Sequence, residues 1–250
     1  MKIRNQIPNF ITLLNLLCGC LAIVAAFKSN LISDLVIASY LIFAGAVFDY
    51  LDGTAAKLLN AKTDIGKELD SLADVVTFGV VPAVIAFKLL NIYALDTPLF
   101  INYPFLLYVP FLIALLSAVR LAKFNIDNRQ TISFLGLPTP ANAIFWASAP
   151  LIIYYTQHTM GTFYEPAVFI AGLFKNSYFI LSLTVIMSVL LVVELPLFSF
   201  KFTNYKWKNN KTRFLFLISA ILLLLLFNVA ALPIIIVLYI VCSIIQNYFL

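Results

Sequence analysis

In the segment DYLDGTAAKLLNAKTDIGKELDSLAD, residues 49–74, charged residues and apolar runs meet. An acidic side chain inside a membrane helix costs about 2.5–3.5 kcal/mol, so acids placed there need a compensating partner. Six of the 11 acidic residues of the chain lie in this segment: Asp49, Asp52, Asp64, Glu68, Asp70 and Asp74. The segment therefore predicts a charged junction between two apolar helices.

The composition around this segment is that of a membrane protein. Of 250 residues, 63% are hydrophobic and 11% are charged, whereas soluble domains have about 45–50% and about 25%. A membrane span needs about 20 apolar residues. We therefore predict an all-α polytopic membrane protein with about eight transmembrane helices, preceded by an N-terminal interfacial segment. The predicted spans are 10–27, 32–59, 69–92, 104–124, 138–157, 176–199, 213–230 and 233–249. Residues 158–175 are predicted to form a loop or interfacial segment.

The basic residues predict the orientation in the membrane. An even number of spans places both termini on one side, and all but three of the 16 lysines and arginines fall on that side; the exceptions are Lys28, Lys88 and Lys175. The positive-inside rule then predicts that both termini are cytoplasmic and that the segment 49–74 faces the cytoplasm. The net charge of +5 is thus a topology signal, and it does not indicate nucleic-acid binding.

The spacing of four acids predicts a metal site. Asp49 and Asp52 are three residues apart and Asp70 and Asp74 four apart, so each pair shares one face of its helix. Carboxylates without histidine or cysteine form a hard-oxygen site, which favours Mg²⁺ or Mn²⁺, as a pair of ions. The alternative is an acid-rich loop with ordinary helix-end charges, in which Asp64 caps the next helix.

Four residues near the acids are suited to a phosphate-containing ligand. Gly53 and Gly66 have no side chain, so a ligand can approach the backbone closely. Lys57 and Thr63 add a cation and a hydroxyl group that suit phosphate oxygens.

Two other groups of polar residues accompany the predicted spans. Asn9, Thr12 and Asn15 are spaced by three and predict an inward polar stripe where the first span begins; the alternative is a set of helix-capping residues. The second group is Arg120, Lys123 and Asn125, at the cytoplasmic end of the fourth span. Its two cations could hold an anionic group or could serve only as topology anchors.

The segment 49–74 resembles the signature of the CDP-alcohol phosphotransferases, D-x2-D-G-x2-A-R, eight residues, G-x3-D-x3-D. Every interval matches, from Asp49 to Asp74, through Gly53, Ala56 and Gly66. The one departure is Lys57, which stands where the family usually has arginine. A lysine supplies a point charge but not the bidentate fork of a guanidinium group.

Two further stretches resemble the phosphatidylserine synthase branch of that family. They are IPNFITLLNLLCG at the start, and RLAKFN (120–125) followed by FLGLPTPANA (134–143). The resemblance covers roughly residues 7–200. It implies a membrane domain over 1–200 with a six-helix core, while 201–250 holds a basic loop and a helical hairpin without assigned chemistry.

The resemblance also implies an activity. A homodimer would transfer a phosphatidyl-type group from a CDP-activated lipid to the hydroxyl group of L-serine and release CMP. Asp49, Asp52 and Asp70 would be metal ligands, and Asp74 would be a ligand and the general base. The CDP-lipid would contact the residues Gly53, Ala56, Lys57, Thr63, Gly66, Asn9 and Thr12. The acceptor or its target phosphate would contact Arg120, Lys123, Asn125 and Asn15.

Other functions remain open from sequence. A sister enzyme could use another acceptor, such as glycerol 3-phosphate, an inositol phosphate or choline, because the motif at 49–74 does not separate these. A cation transporter could also use intramembrane acids, although transporters usually hold them near the midplane on broken helices. A purely structural membrane protein would leave the buried acids unexplained.

Overall fold

The computed structural model describes residues 3–28, 31–94, 97–126, 133–158, 164–198, 207 and 210–249, and these residues are almost entirely helical. The helices are α1 (Ile3–Lys28), α2 (Ile32–Leu58), α3 (Asp64–Asp74), α4 (Val81–Tyr93), α5 (Pro98–Asn102), α6 (Leu112–Ile126), α7 (Thr139–His158), α8 (Tyr164–Lys175), α9 (Ser177–Val192), α10 (Lys211–Phe227) and α11 (Ala231–Phe249). The all-α polytopic membrane fold is confirmed.

The number of spans differs from the predicted eight. In the part of the chain that the structure describes, five helical runs are long and apolar enough to cross a membrane: Gln6–Lys28, Ile32–Leu58, Asp64–Tyr93, Pro104–Ile126 and Lys211–Asn247. A sixth results if α8 and α9, which are bent by 84° at their junction, form one span. The count of eight is therefore not confirmed. Helix α7, at the predicted fifth span, is not among these runs, and the last two predicted spans fall within one run.

The run Lys211–Asn247 folds back on itself as the predicted hairpin. A short 3₁₀ turn, Asn228–Ala230, separates α10 from α11, and Asn228 has a positive φ of 50°. The rings of Phe216 and Tyr239 lie 5.9 Å apart. In one straight helix these residues would be about 34 Å apart. Helix α11 begins at Ala231, two residues before Pro233, in a turn where proline is tolerated.

Helices α3 and α4 form one continuous run at the centre of the molecule. In the most apolar part of Asp64–Tyr93, 67% of the residues are buried, against 17% for Lys211–Asn247. A π-helical turn, Val75–Val80, joins the two helices and ends two residues before Pro82. A proline ring crowds the carbonyl four residues earlier, here Phe78, and a widened turn relieves that crowding. The run that carries Asp70 and Asp74 is thus the buried core of the fold.

Three local features were not predicted from sequence. Strands β1 (Ser133–Leu135) and β2 (Pro196–Phe198) pair antiparallel, so a small ribbon accompanies the helices. The span predicted at 176–199 accordingly ends early, because α9 stops at Val192 and the chain turns into β2. The region 158–175, predicted as a loop or interfacial segment, contains helix α8.

Two predictions concern the ends of the predicted membrane domain, namely its N-terminal interfacial segment and its boundary near residue 200. Helix α1 begins at Ile3, so the predicted interfacial segment continues directly into the first span. The domain boundary predicted near residue 200 lies at 199–206, outside the described residues, and it stays a prediction.

Candidate active site

The loop between α2 and α3 places the acidic residues. Asn60 has a positive φ of 45° after the last turn of α2, and Ala61 N donates to Ala56 O at 2.9 Å. Thr63 then begins α3, because its Oγ1 accepts a hydrogen bond from Gly66 N at 3.0 Å. The cap of α3 is therefore Thr63, where the alternative interpretation expected Asp64. Helix α1 packs against both helices and completes the site.

Three aspartates meet beside α1. Asp49, Asp70 and Asp74 each offer one carboxylate oxygen, and these oxygens lie within 4.8 Å of one another. Asp74 is buried, and Asp70 Oδ1 is a buried atom without a hydrogen-bond partner. Converging carboxylates repel one another when ionised, so this arrangement suits a divalent cation. The residue types and the unpartnered oxygen both fit a hard metal ion.

The fourth predicted ligand, Asp52, stands apart from this cluster. Its Oδ2 accepts a hydrogen bond of 2.6 Å from Thr12 Oγ1, and the side chain is 6% exposed. Thr12 was predicted to contact the CDP-lipid, and in the structure it orients Asp52. The predicted polar stripe on α1 thus faces the acids.

Asn15 supports Asp74 from the same stripe. Its Nδ2 donates to Asp74 Oδ1 at 3.1 Å, and Thr77 Oγ1 donates to Asn15 O at 3.0 Å. Asn15 is completely buried and was predicted to contact the acceptor. Its contact with Asp74 makes it a residue that positions the carboxylate.

Two glycines allow this close packing. A Cβ atom on Gly45 would lie 2.6 Å from Thr77 Cγ2 and 3.0 Å from Asn15 Oδ1. A Cβ atom on Gly19 would lie 2.6 Å from Thr77 Oγ1. Thr77 belongs to the π-helical turn that follows Asp74, and such turns are frequent at functional sites.

A cavity of about 660 Å³ opens next to the aspartates. Of the four predicted metal ligands, Asp52 and Asp70 reach its wall, while Asp49 and Asp74 are not among its lining residues. It is lined by Pro8, Asn9, Thr12, Asp52, Gly53, Ala56, Ala61, Lys62, Thr63, Asp64, Gly66, Lys67 and Asp70. Six of the seven residues predicted to bind the CDP-lipid are therefore together in one wall.

The glycines of the motif have different surroundings in this cavity. A Cβ on Gly53 would meet no atom within 4 Å, so the backbone is open to a ligand. A Cβ on Gly66 would lie 3.0 Å from both Asn9 Oδ1 and Thr63 Oγ1. Gly66 thus lets α1 approach the start of α3, and Gly53 leaves space.

Lys57, the seventh predicted CDP-lipid residue, lines a neighbouring cavity. This cavity measures about 340 Å³ and is bounded by Ala56, Lys57, Asn60 and Lys62. Ala56 and Lys62 line both cavities. Lys57 therefore lies at the side of the main cavity, and Lys62 is the cation between the two.

The predicted acceptor residues occupy three different environments. Arg120 is 7% exposed, its Nε has no hydrogen-bond partner, and its charge lies close enough to act on Asp74. Asn125 Nδ2 donates to Ser71 Oγ at 2.9 Å, which ties the end of α6 to α3. Lys123 is exposed on α6. Of the three, Arg120 is the one whose charge interacts with an acid of the cluster.

Two lysines of the site were missed by the sequence analysis. Lys62 and Lys67 line the main cavity, and Lys67 Nζ donates to the backbone O of Asn125 at 2.8 Å. Both lie within the motif segment, so their position beside the acids was the available signal. Their orientation depends on the loop conformation, which spacing alone does not give.

Residues 5–174 match the sequence model of the family described as CDP-alcohol phosphatidyltransferase, which is more than half of the chain. The chain belongs to the CDP-alcohol phosphatidyltransferase family. The matched region contains the aspartate cluster, the cavity and Arg120, and it ends within α8. The family resemblance predicted from the motif is confirmed, and the hairpin α10–α11 lies outside the matched region.

Three relatives carry the name CDP-diacylglycerol–serine O-phosphatidyltransferase. The protein from Bacillus subtilis is 36% identical over 178 residues, covering 71% of this chain and 88% of its own. The protein from Helicobacter pylori is 31% identical over 250 residues, covering 97% of this chain and 91% of its own. The protein from Methanocaldococcus jannaschii is 36% identical over 138 residues, covering 55% of this chain and 57% of its own. The CDP-alcohol phosphatidyltransferase region of this chain is thus similar to proteins named for serine as the acceptor.

Proposed function

We propose that this membrane enzyme transfers the phosphatidyl group of a CDP-activated lipid to the hydroxyl group of L-serine, releasing CMP. The observation that carries the proposal is the convergence of Asp49, Asp70 and Asp74 beside a cavity lined by the rest of the motif. Membership in the family supports the CDP-activated lipid as donor. The names of the relatives support serine as the acceptor.

The cavity is the proposed site of the CDP group. Lys62 and Lys67 supply positive charge to a pyrophosphate, and Gly53 leaves its backbone open to the ligand. The side chains of Thr63 and Asn9 add polar atoms to the same wall. The lipid chains remain in the bilayer, since the site lies at the ends of apolar helices. Lys57 acts from the neighbouring cavity as a second point charge.

The three aspartates are the proposed ligands of a divalent cation, Mg²⁺ or Mn²⁺, and Asp52 is the proposed ligand of a second. Their carboxylate oxygens are the donors that these hard ions prefer. The chemistry that a bound divalent cation supplies here is neutralisation of negative charge on the pyrophosphate and on the leaving CMP. Thr12 holds Asp52, and Asn15 holds Asp74, so both carboxylates are fixed before substrate arrives.

The proton balance assigns a role to Asp74. The serine hydroxyl oxygen forms a bond to the phosphorus that carries the lipid, and the bond from that phosphorus to the bridging oxygen of CMP breaks. Asp74 accepts the hydroxyl proton, and the electron pair of the broken bond remains on CMP. Arg120 binds an anionic group on the acceptor side, because its buried Nε has a donor to offer.

The orientation and oligomeric state complete the proposal. The distribution of lysine and arginine supports a cytoplasmic position for both termini and the site. A homodimer is expected from the family resemblance, and we retain it as a prediction for cross-linking in native membranes.

An acceptor panel tests this function. Purified protein in lipid vesicles receives CDP-diacylglycerol and Mg²⁺ or Mn²⁺, with serine, glycerol 3-phosphate, an inositol phosphate or choline. We expect CMP release when serine is the acceptor and no release with the other three alcohols. Release with another alcohol would assign a sister activity, and no CMP release with any acceptor would contradict the proposed enzyme.

A further inference from the structure

The C-terminal hairpin contacts the backbone of the ribbon through one face of α11. Tyr239, Ser243 and Asn247 are spaced by four and therefore lie on one side of the helix. Tyr239 Oη donates to Phe198 O at 2.9 Å, and Asn247 Nδ2 donates to Pro196 O at 2.7 Å. Phe198 N donates to Ser243 Oγ at 3.4 Å. The two ends of β2 are thus held by side chains of α11.

Tyr239 has little freedom to move in this contact. It is 5% exposed, and its ring meets those of Phe198 at 5.0 Å and Phe216 at 5.9 Å, both edge to face. Phe198 and Phe216 also contact each other, at 5.7 Å. This three-ring cluster joins both helices of the hairpin to β2.

The ribbon connects this cluster to the helices of the active site. Strand β2 pairs with β1, and beyond β1 Gly136 N donates to Leu195 O at 2.9 Å and Leu137 N to Leu190 O at 2.8 Å. Gly136 has a φ of +78°, and a Cβ there would lie 2.5 Å from Leu191 O, so the turn requires glycine. The ribbon therefore holds the residues directly before α7 against the end of α9, and α9 packs against α6, which carries Arg120.

Arg120 itself lies near the hairpin. The guanidinium group is buried on α6 and lies within electrostatic range of both the Tyr239 hydroxyl group and the Asp74 carboxylate. Arg120 Nε is buried without a hydrogen-bond partner, so no hydrogen bond at this atom fixes its direction. The position of the Arg120 side chain would then be defined by a rigid neighbouring element, such as α11.

We propose that α11 positions the acceptor side of the active site, and that Tyr239 is the positioning residue that fixes the ribbon and thereby the place of Arg120. The inference rests on the proposed function, and it assigns a role to the part of the chain outside the family match. Tyr239 acts through Phe198 and Arg120 and does not touch the substrate.

A pair of tyrosine variants tests the inference. Tyr239→Phe removes only the hydroxyl group and keeps the ring cluster. Tyr40→Phe is the matched control, because Tyr40 Oη makes a 2.6 Å hydrogen bond to Tyr155 Oη on α7. We expect Tyr239→Phe to raise the KM for serine about threefold to tenfold, the size of one lost hydrogen bond. The KM for CDP-diacylglycerol stays within twofold in both variants.

A second measurement does not depend on activity. Hydrogen exchange at the amides of 135–137 and of Leu197 and Phe198 reports the ribbon directly. We expect faster exchange there in Tyr239→Phe and in Asn247→Leu, and unchanged exchange in Tyr40→Phe. Wild-type exchange rates at these amides in both α11 variants would overturn the proposal that α11 fixes the ribbon.

The kinetic outcomes separate this inference from the proposed function. Wild-type transfer to serine with an unchanged serine KM in Tyr239→Phe overturns the positioning role alone. Equal rises in both KM values also overturn it, because a general structural defect predicts them. If the wild type uses another alcohol, the same comparison applies to the KM for that alcohol. Absence of any transfer by the wild type removes the proposed function and this inference together.

Discussion

Asn15 Nδ2 donates a hydrogen bond to Asp74 Oδ1 at 3.1 Å, joining the first helix to a buried carboxylate of the site. The bond fixes which oxygen of Asp74 remains available to a cation or a substrate proton. Thr77 Oγ1 holds the backbone of Asn15 from the π-helical turn that follows Asp74. The position of Asp74 is therefore set by two elements that are distant in sequence.

Replacing Asn15 tests this relationship. We expect Asn15→Leu to lower kcat about tenfold, with the KM for CDP-diacylglycerol little changed, because a misdirected Asp74 affects the transfer step. Asn91→Ala is the control, since Asn91 Nδ2 bonds only its own helix at Phe87 O within the described contacts. Normal turnover in Asn15→Leu, at wild-type protein yield, would show that Asp74 needs no such support.

Replacing Gly45 tests the packing behind the site. The added methyl group of Gly45→Ala would lie 2.6 Å from Thr77 Cγ2, so we expect a loss of about 1–3 kcal/mol of stability. Gly172→Ala is the matched control on α8, where a Cβ meets nothing within 4 Å. Thermal unfolding in detergent measures both. Equal unfolding temperatures in the two variants would contradict the close approach of α2 to Thr77.

The two lysines beside the cavities are expected to differ in effect. Lys62 lines both cavities and Lys57 only the smaller one, so Lys62→Ala should raise the KM for CDP-diacylglycerol more than Lys57→Ala. Lys57→Arg should be tolerated, because the charge is retained. Lys28→Ala, at the other end of α1, controls for general charge loss. A KM unchanged by either alanine variant would place the pyrophosphate elsewhere.

Arg120 is expected to serve the acceptor and not the metal. Arg120→Ala should lose most serine-dependent CMP release while still binding CDP-diacylglycerol and Mn²⁺, measured per correctly inserted molecule. Lys211→Ala is the control. This exposed lysine at the start of α10 is a positive charge that contributes to membrane topology and lies outside the proposed site. Wild-type activity per molecule in Arg120→Ala would remove the residue from the site.

The sequence predicted the acids well because helical spacing is a local property. Asp49, Asp70 and Asp74 converge as their intervals indicate. Asp52 does not join them: three residues along a helix leave an offset of about 60°, enough to turn its carboxylate toward Thr12. The partner of a side chain on another helix could not be derived from spacing.

The unpredicted features depend on contacts between distant parts of the chain. Strand β1 pairs with β2 across more than sixty residues, and three-residue strands leave no periodic signal. The places of Lys62 and Lys67 depend on the positive φ of Asn60, which asparagine tolerates but does not dictate. Helix α7 is largely buried in the core, and its place among the membrane spans stays a prediction.

Incorporation of labelled serine into lipid measures the proposed transfer reaction itself. Purified protein in vesicles receives CDP-diacylglycerol, labelled L-serine and Mg²⁺ or Mn²⁺, and CMP and lipid-soluble label are counted together. We expect one CMP per labelled lipid for the wild type and for Glu68→Gln, an exposed acid of the same segment. Asp70→Asn should lose at least about 100-fold in rate and bind Mn²⁺ more weakly. Label incorporation at the wild-type rate in Asp70→Asn, or in a chelator without added metal, would contradict the account.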